Sequence, residues 1–275
     1  MSDILIFRAA LWLGLVMAPW LSWMGSREAA PYGRHYPPRA AAAAAPHSAL
    51  PTRLAWLIME SPPLLLTPPI FGFGRFSPLL VPRVLVVIFV LHYVHRALIY
   101  PFRMRPSPNR NLPTFVFVSG LLFNVYNTYI QVRSVSHFTS YSAQWLSSST
   151  FLFGFFLFIS GMAVNIWADS ALVSLRKPDK AASMHAARNY AAKGTSELYK
   201  VPKGGLFEVI TCPNYFGEII EWLGWAIATS SFAGFVFLAL SVSNLLPRAL
   251  AHHRWFIENF PNYPRKRKAL VPFIL

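Results

Sequence analysis

Two glutamates and an asparagine mark the stretch of this chain that is best equipped for chemistry. Asn214, Glu218 and Glu221 stand in a run that continues as apolar sequence to about residue 246. Their spacings of four and three residues place them on one face of a helix. An ionisable group at membrane depth is costly, and it is usually paired or faces a cavity. We expect this face to form one wall of a polar pocket; the alternative is a salt bridge between helices.

A third glutamate, Glu60, stands in the short apolar segment 51–66, directly after Trp56–Met59. Apolar surroundings favour the neutral carboxyl group, which can donate a hydrogen bond near neutral pH. The alternative is a glutamate at a helix end, at the membrane interface.

A polar cluster interrupts the aliphatic run 79–100. Helical spacing places His92, His95 and Arg96 on one face, and Tyr93 about 100° away from His92. Two histidines at this spacing are typical of metal sites, but no third ligand is evident. We therefore predict an inward-facing polar cluster and no metal.

Amide side chains form a stripe on the next apolar run. Asn124, Asn127 and Gln131 are three and four residues apart, so they share a helix face. Hydrogen bonds between helices explain such a stripe as well as a bound ligand does.

The end of the run 145–171 offers groups that suit a nucleotide. Asn165 and Asp169 are four residues apart, and Arg176 follows on the same side. An amide and a carboxylate suit ribose hydroxyls, and a guanidinium suits phosphate. Capping and charge placement at a helix end is the alternative. The chain contains neither GxGxxG nor GxxxxGK[ST], so a dinucleotide would need a different kind of site.

The composition indicates an integral membrane protein. Of the 275 residues 55% are hydrophobic and only 13% are charged, whereas soluble domains carry about 25% charged residues. The net charge of +15 lies in loops between apolar runs, which indicates the positive-inside rule and not nucleic-acid binding. The single cysteine, Cys212, excludes an intramolecular disulfide and a cysteine-based zinc site.

The apolar runs predict one all-α membrane domain, a bundle of seven transmembrane helices. The predicted spans are 4–24, 51–66, 79–100, 113–132, 145–171, 215–229 and 230–246. Basic loops follow the first, third and fifth spans, and the C-terminal tail is also basic. This pattern predicts a cytoplasmic C-terminus and an N-terminus on the opposite side.

Several separated motifs occur in an order that resembles the steroid 5α-reductase family. They are the runs 204–207 and 214–224, the pattern 175–178, the cluster 92–96 and the tail 263–274. The resemblance runs from about Tyr32 to the last residue, with the signature region at about 115–275. It implies that seven helices enclose a cavity that takes NADPH from the cytoplasm and a steroid from the bilayer. It also implies reduction of the 4,5 double bond of a 3-oxo-4-ene steroid.

The resemblance implies a role for individual residues. Glu60 and Tyr93 match the pair that holds the 3-oxo group, and Tyr32 and Met59 match the substrate cavity. Positions around the cofactor are matched by Asn165, Asp169, Arg176, Tyr199, Asn214, Glu218, His252, Arg96, Asn127 and Gln131. The chain departs from the family pattern in an insertion at 179–197, in Phe256 at a tyrosine position, and in Met59 at a polar one.

Other functions stay open at this point. They are reduction of another lipid enone or a polyprenol, methyl transfer from S-adenosylmethionine to an isoprenylcysteine, and sterol binding without catalysis. The Glu60 and Tyr93 pair favours an enone over methyl transfer. We expect contact with membrane lipids, no nucleic acid and no obligate protein partner. We expect the membrane to be the bacterial inner membrane or, for a eukaryotic chain, that of the endoplasmic reticulum.

Overall fold

Helices make up most of the computed structural model, which describes residues 2–28, 35, 49–105, 111–175 and 199–275. The α-helices are α1 (Asp3–Arg27), α2 (Thr52–Met59), α3 (Pro62–Gly72), α4 (Leu80–Tyr93), α5 (Tyr100–Arg103), α6 (Thr114–Arg133), α7 (Ser149–Leu175), α8 (Pro213–Thr229) and α9 (Phe232–Asn259). Two π-helical stretches (Val94–Ile99, Ser134–Phe138) and two 3₁₀ turns (Trp145–Ser147, Gly205–Glu208) join them. Strands β1 (Ala49–Leu50) and β2 (Leu112–Pro113) pair antiparallel, with Leu50 opposite Leu112.

Six helical segments of the described residues are long and apolar enough to cross a membrane. They are Asp3–Arg27, Thr52–Gly72, Leu80–Arg103, Thr114–Phe138, Ser149–Leu175 and Phe232–Asn259. The prediction of an all-helical, multi-pass membrane protein is thus confirmed. The count of seven spans is not: the sixth predicted span, 215–229, corresponds to α8, which has 17 residues, fewer than the about 20 that cross a bilayer.

The second span is longer than the sequence indicated. The predicted span ends at residue 66, within a segment that contains Pro62, Pro63, Pro68 and Pro69. Instead, α2 ends at Met59, Glu60 occupies the turn, and α3 runs on to Gly72 with Pro68 and Pro69 inside it. Proline is tolerated inside membrane helices because neighbouring groups satisfy the freed carbonyls.

The last span also exceeds its predicted end, because α9 continues through Pro247 to Asn259. α1 runs alongside it: a Cβ on Gly14 would collide with Val236, and one on Gly25 would lie 3.2 Å from Pro247. His252 therefore belongs to a packed helix and not to a free basic tail.

Glycines bring α7 and α8 into backbone contact. Gly154 and Gly161 on α7, and Gly217 and Gly224 on α8, are each seven residues apart. A Cβ at any of the four would collide with backbone atoms of the other helix. Small residues at helix interfaces permit such close approach in membranes. As a result, polar side chains on these two helices come within hydrogen-bonding distance of one another.

The C-terminal segment holds the chain just before α8. Ile210 forms a parallel bridge with Lys268, and the Thr211 and Cys212 amides donate to the Lys268 and Ala269 carbonyls at 2.8 and 3.2 Å. This pairing fixes the start of α8, where Asn214 lies.

Candidate active site

Glu60 and Tyr93 meet the amide stripe of α6. The Asn124 amide nitrogen donates to Glu60 Oε2 at 3.2 Å and to the Met59 carbonyl at 2.8 Å. The Asn127 amide nitrogen donates to the Tyr93 hydroxyl at 3.1 Å. All four polar side chains are buried. The structure thus places the predicted acid and phenol, which come from two other segments, against the same helix, α6.

Arg96 connects this pair to the second half of the site. Its guanidinium nitrogens lie 3.9 Å from Glu60 Oε1 and 3.5 Å from Asp169 Oδ2. Its charge also lies over the rings of Trp56 and Tyr100, at 5.3 and 5.2 Å from their centroids. Carboxylates and aromatic faces both stabilise a desolvated guanidinium.

The second half of the site is a network between α7 and α8. The Asn165 amide nitrogen donates to the Asn214 carbonyl at 3.0 Å and to Glu218 Oε2 at 3.3 Å. The Asn214 amide nitrogen donates to Asp169 Oδ1 at 3.1 Å. Asn165 and Asp169 are buried, whereas Asn214 and Glu218 are half-buried. The four residues therefore form one network of amide and carboxylate groups, in which Asn214 and Glu218 are the more accessible members.

A further polar group surrounds His252. Its Nε2 lies 3.2 Å from the Tyr215 hydroxyl, which also accepts from Arg248 at 2.8 Å. Its Nδ1 lies 2.8 Å from His35 Nε2, and the two imidazole rings are stacked. Sequence reasoning did not select Tyr215, Arg248 or His35; the four-residue spacing of Arg248 and His252 was the available signal.

Glu221 has a different partner from Glu218, although the two share a helix. Its Oε1 lies 2.8 Å from His92 Nδ1 on α4, and both side chains are buried. This is the salt-bridge alternative for one of the two glutamates. His92 and Tyr93 both lie in α4 and both are buried, and a π-helical stretch begins directly after them at Val94. Among the described residues, no group of three His, Cys, Asp or Glu side chains could hold a metal ion.

Other predicted site residues lie in packing positions. Both ends of the Gln131 amide bond to protein: Trp225 Nε1 donates to it at 2.8 Å, and it donates to the Ala233 carbonyl at 2.9 Å. Gln131 therefore fits the helix-to-helix alternative. The Met59 side chain packs against Gly120 on α6, within a cluster that includes Ala55 and Leu112.

Two residues near the C-terminal end of α9 complete the predicted set. The Tyr199 ring packs edge-on against Trp255, with centroids 5.1 Å apart, and the buried Phe256 ring stacks on Tyr263 at 5.2 Å. Tyr32, Arg176 and the insertion 179–197 lie outside the described residues.

Comparison with known proteins decides the family. Residues 110–275 match the family described as 3-oxo-5-alpha-steroid 4-dehydrogenase. The steroid 5-alpha-reductase DET2 of Solanum lycopersicum is 36% identical over 99% of this chain and 98% of its own. The chain belongs to the steroid 5α-reductase family. The 3-oxo-5-alpha-steroid 4-dehydrogenase 1 of Rattus norvegicus is 39% identical over 89% of this chain and 86% of its own. The DET2 reductase of Arabidopsis thaliana is 39% identical over 89% of this chain and 87% of its own.

The steroid 5α-reductases are oxidoreductases, so this chain belongs to an oxidoreductase family. The resemblance found in the sequence motifs is therefore confirmed. The match to the Solanum lycopersicum reductase covers nearly the whole chain. It therefore includes the α2–α4 region that carries Glu60 and Tyr93, as well as the family segment 110–275.

Proposed function

We propose that this protein reduces the 4,5 double bond of 3-oxo-4-ene steroids to give 5α-steroids, with NADPH as the reductant. One observation carries the proposal: Arg96 joins the buried Glu60 and Tyr93 pair to the Asp169 network. A ketone-binding pair and a nucleotide-binding network must be adjacent for hydride transfer. Family membership supports the reaction class.

The chemistry of an enone explains the need for Glu60 and Tyr93. The ring carbon accepts hydride only if the ketone oxygen is stabilised while negative charge develops there. A neutral carboxyl group and a phenol can each donate a hydrogen bond to that oxygen. A donor of this kind contributes about 3 to 4 kcal/mol to transition-state stabilisation. Exclusion of water strengthens both contacts.

The donor set between α7, α8 and α9 fits a dinucleotide. Reductases of this class generally use a nicotinamide cofactor. Asn165, Asp169, Asn214 and Glu218 combine amides and carboxylates that suit ribose hydroxyls, and Arg248 with His252 supplies positive or donating groups that suit phosphate. When bound, NADPH supplies the hydride that is added to the steroid ring.

The remaining assignments complete the proposal. Arg176 binds phosphate, Tyr199 contacts the cofactor, and Tyr32 lines the substrate cavity. The steroid enters from the bilayer, and membrane lipids surround the bundle. The C-terminus lies in the cytoplasm. Membership of an oxidoreductase family favours these roles over methyl transfer.

A ligand-dependent melting experiment tests the cofactor, and product analysis tests the substrate. NADPH should raise the apparent melting temperature of the detergent-purified protein by mass action, whereas S-adenosylmethionine should not. Incubation with NADPH and progesterone should yield the 5α-reduced steroid by mass spectrometry. Stabilisation by NADPH without steroid reduction would redirect the search to other lipid enones or polyprenols. No stabilisation by NADPH would contradict the proposal.

A further inference from the structure

Two asparagines on α6 each serve one member of the ketone-binding pair. Asn124 and Asn127 are three residues apart, and their exposed fractions are 6% and 0%. The first donates to Glu60, at the end of α2, and the second donates to Tyr93, on α4. One helix, α6, thus donates hydrogen bonds to both Glu60 and Tyr93, which come from two other segments.

The direction of these hydrogen bonds has a chemical consequence. An amide nitrogen is only a donor, so Glu60 Oε2 and the Tyr93 oxygen both act as acceptors here. The proposed function requires a neutral Glu60, and its one proton then resides on Oε1, the oxygen that lies 3.9 Å from the Arg96 guanidinium. A phenol also has one proton, and Tyr93 does not donate it to Asn127, from which it accepts a hydrogen bond. Both protons are therefore left for another acceptor.

The other end of the Asn127 amide gives a second observation. Its Oδ1 is buried and has no hydrogen-bond partner among the residues that the structure describes, and an unsatisfied buried acceptor is unfavourable. With the amide reversed, Oδ1 would accept a hydrogen bond from the Tyr93 hydroxyl, and Tyr93 could not donate to a ketone. The observed orientation leaves an acceptor unpaired and keeps the phenolic proton available.

We propose that Asn124 and Asn127 are positioning residues that keep the Glu60 and Tyr93 protons directed at the substrate oxygen. This inference rests on the proposed function, and it replaces the predicted role of Asn127 as a cofactor ligand. It also gives a role to Asn124, for which no role beyond the amide stripe was predicted.

Substitution of Asn127 by aspartate or alanine tests the inference. Aspartate has the same shape, but its carboxylate accepts a hydrogen bond from the Tyr93 hydroxyl. Alanine removes the amide and leaves the Tyr93 hydroxyl free to donate to the substrate. We expect kcat to fall in the order wild type, Asn127→Ala, Asn127→Asp. The aspartate variant should lose about 100-fold, as for a lost oxyanion donor, with NADPH binding unchanged within about twofold. In a Tyr93→Phe background, Asn127→Asp should lower kcat by a further factor of less than about two, because the hydroxyl group that would donate to the aspartate is absent.

The competing roles predict other results. A packing role predicts that alanine, which leaves a cavity, lowers kcat more than aspartate does. A cofactor-ligand role predicts weaker NADPH binding in both variants and equal losses with and without Tyr93. Either result would overturn the inference. A wild-type protein that binds NADPH but reduces no steroid would instead overturn the proposed function.

A parallel comparison covers the case in which Asn127→Asp does not fold. Asn124→Asp and Asn124→Ala are then measured in the wild type and in a Glu60→Gln background. The inference predicts that aspartate is the more harmful substitution and that Glu60→Gln removes most of the difference. An equal difference in both backgrounds would overturn it.

Discussion

The Glu221 carboxylate and the His92 imidazole share a hydrogen bond of 2.8 Å between α8 and α4, with exposed fractions of 0% and 4%. Trp222 packs on the His92 ring, with centroids 4.5 Å apart. The pair thus couples the helix of the proposed nucleotide network to the helix of Tyr93.

Removal of one member of this pair should destabilise the protein. Glu221→Ala leaves a buried imidazole nitrogen without its hydrogen-bond partner, a loss that costs about 1 to 3 kcal/mol. The apparent melting temperature in detergent should fall sharply. The double variant Glu221→Leu, His92→Phe should recover part of that loss, because neither polar group remains. A melting temperature unchanged by Glu221→Ala would contradict the role of the pair in packing.

The glycine contacts between α7 and α8 predict a steep intolerance of one added methyl group. Gly161→Ala and Gly224→Ala place a Cβ against the backbone of the opposite helix, so the helices must separate. The yield of folded protein should fall, and any folded protein should bind NADPH more weakly. Gly72→Ala is the matched control, since a Cβ there meets nothing within 4 Å. Equal behaviour of Gly161→Ala and Gly72→Ala would show that the close crossing is not required.

Gln131 offers a test that separates stability from cofactor binding. Its amide holds Trp225 and the Ala233 carbonyl, so Gln131→Met should lower the melting temperature. Each lost buried hydrogen bond costs about 1 to 3 kcal/mol when its partner is left unsatisfied. The NADPH dissociation constant, measured by titration, should stay within about twofold of wild type, because both ends of the Gln131 amide already bond to protein groups. A large loss of NADPH affinity with unchanged melting would restore Gln131 to the cofactor site.

Glu208 predicts how acid affects the segment before α8. The Gly204 amide donates to Glu208 Oε1 at 2.6 Å and Arg267 donates to Oε2 at 3.3 Å, which together lower the pKa of the carboxyl. A lowered pKa contributes stability above the unfolded value of about 4.3, and that contribution is lost as pH falls through the folded pKa.

The melting difference between wild type and Glu208→Gln should therefore be constant near neutral pH and shrink below about pH 4. Glu28→Gln, at the exposed end of α1, is the matched control for the loss of one glutamate charge. A Glu208→Gln difference that grows on acidification would refute the assigned ion pair.

Helical spacing was sufficient to predict some neighbours within the site but not others. Periodicity placed Asn165 and Asp169 on one face, and Asn124 and Asn127 on another, as observed in their shared networks. It could not show that Glu218 and Glu221 have different partners, because a carboxylate's partner on another helix depends on tertiary packing. The π-helical turn at Val94 and the passage of α3 through Pro68 and Pro69 depend on the same packing. The glycines were visible in the sequence, but only the crossing of α7 and α8 gives their seven-residue spacing a meaning.

The most direct test of the central claim is steroid-dependent NADPH oxidation by wild type, Glu60→Gln and Tyr93→Phe. Both variants keep nearly the shape of the native side chain while they weaken or remove its proton donation. We expect NADPH binding to persist in all three proteins, and turnover with testosterone to fall by about 100-fold or more in each variant. Turnover near the wild-type rate in both variants would contradict the assignment of Glu60 and Tyr93 to the ketone oxygen.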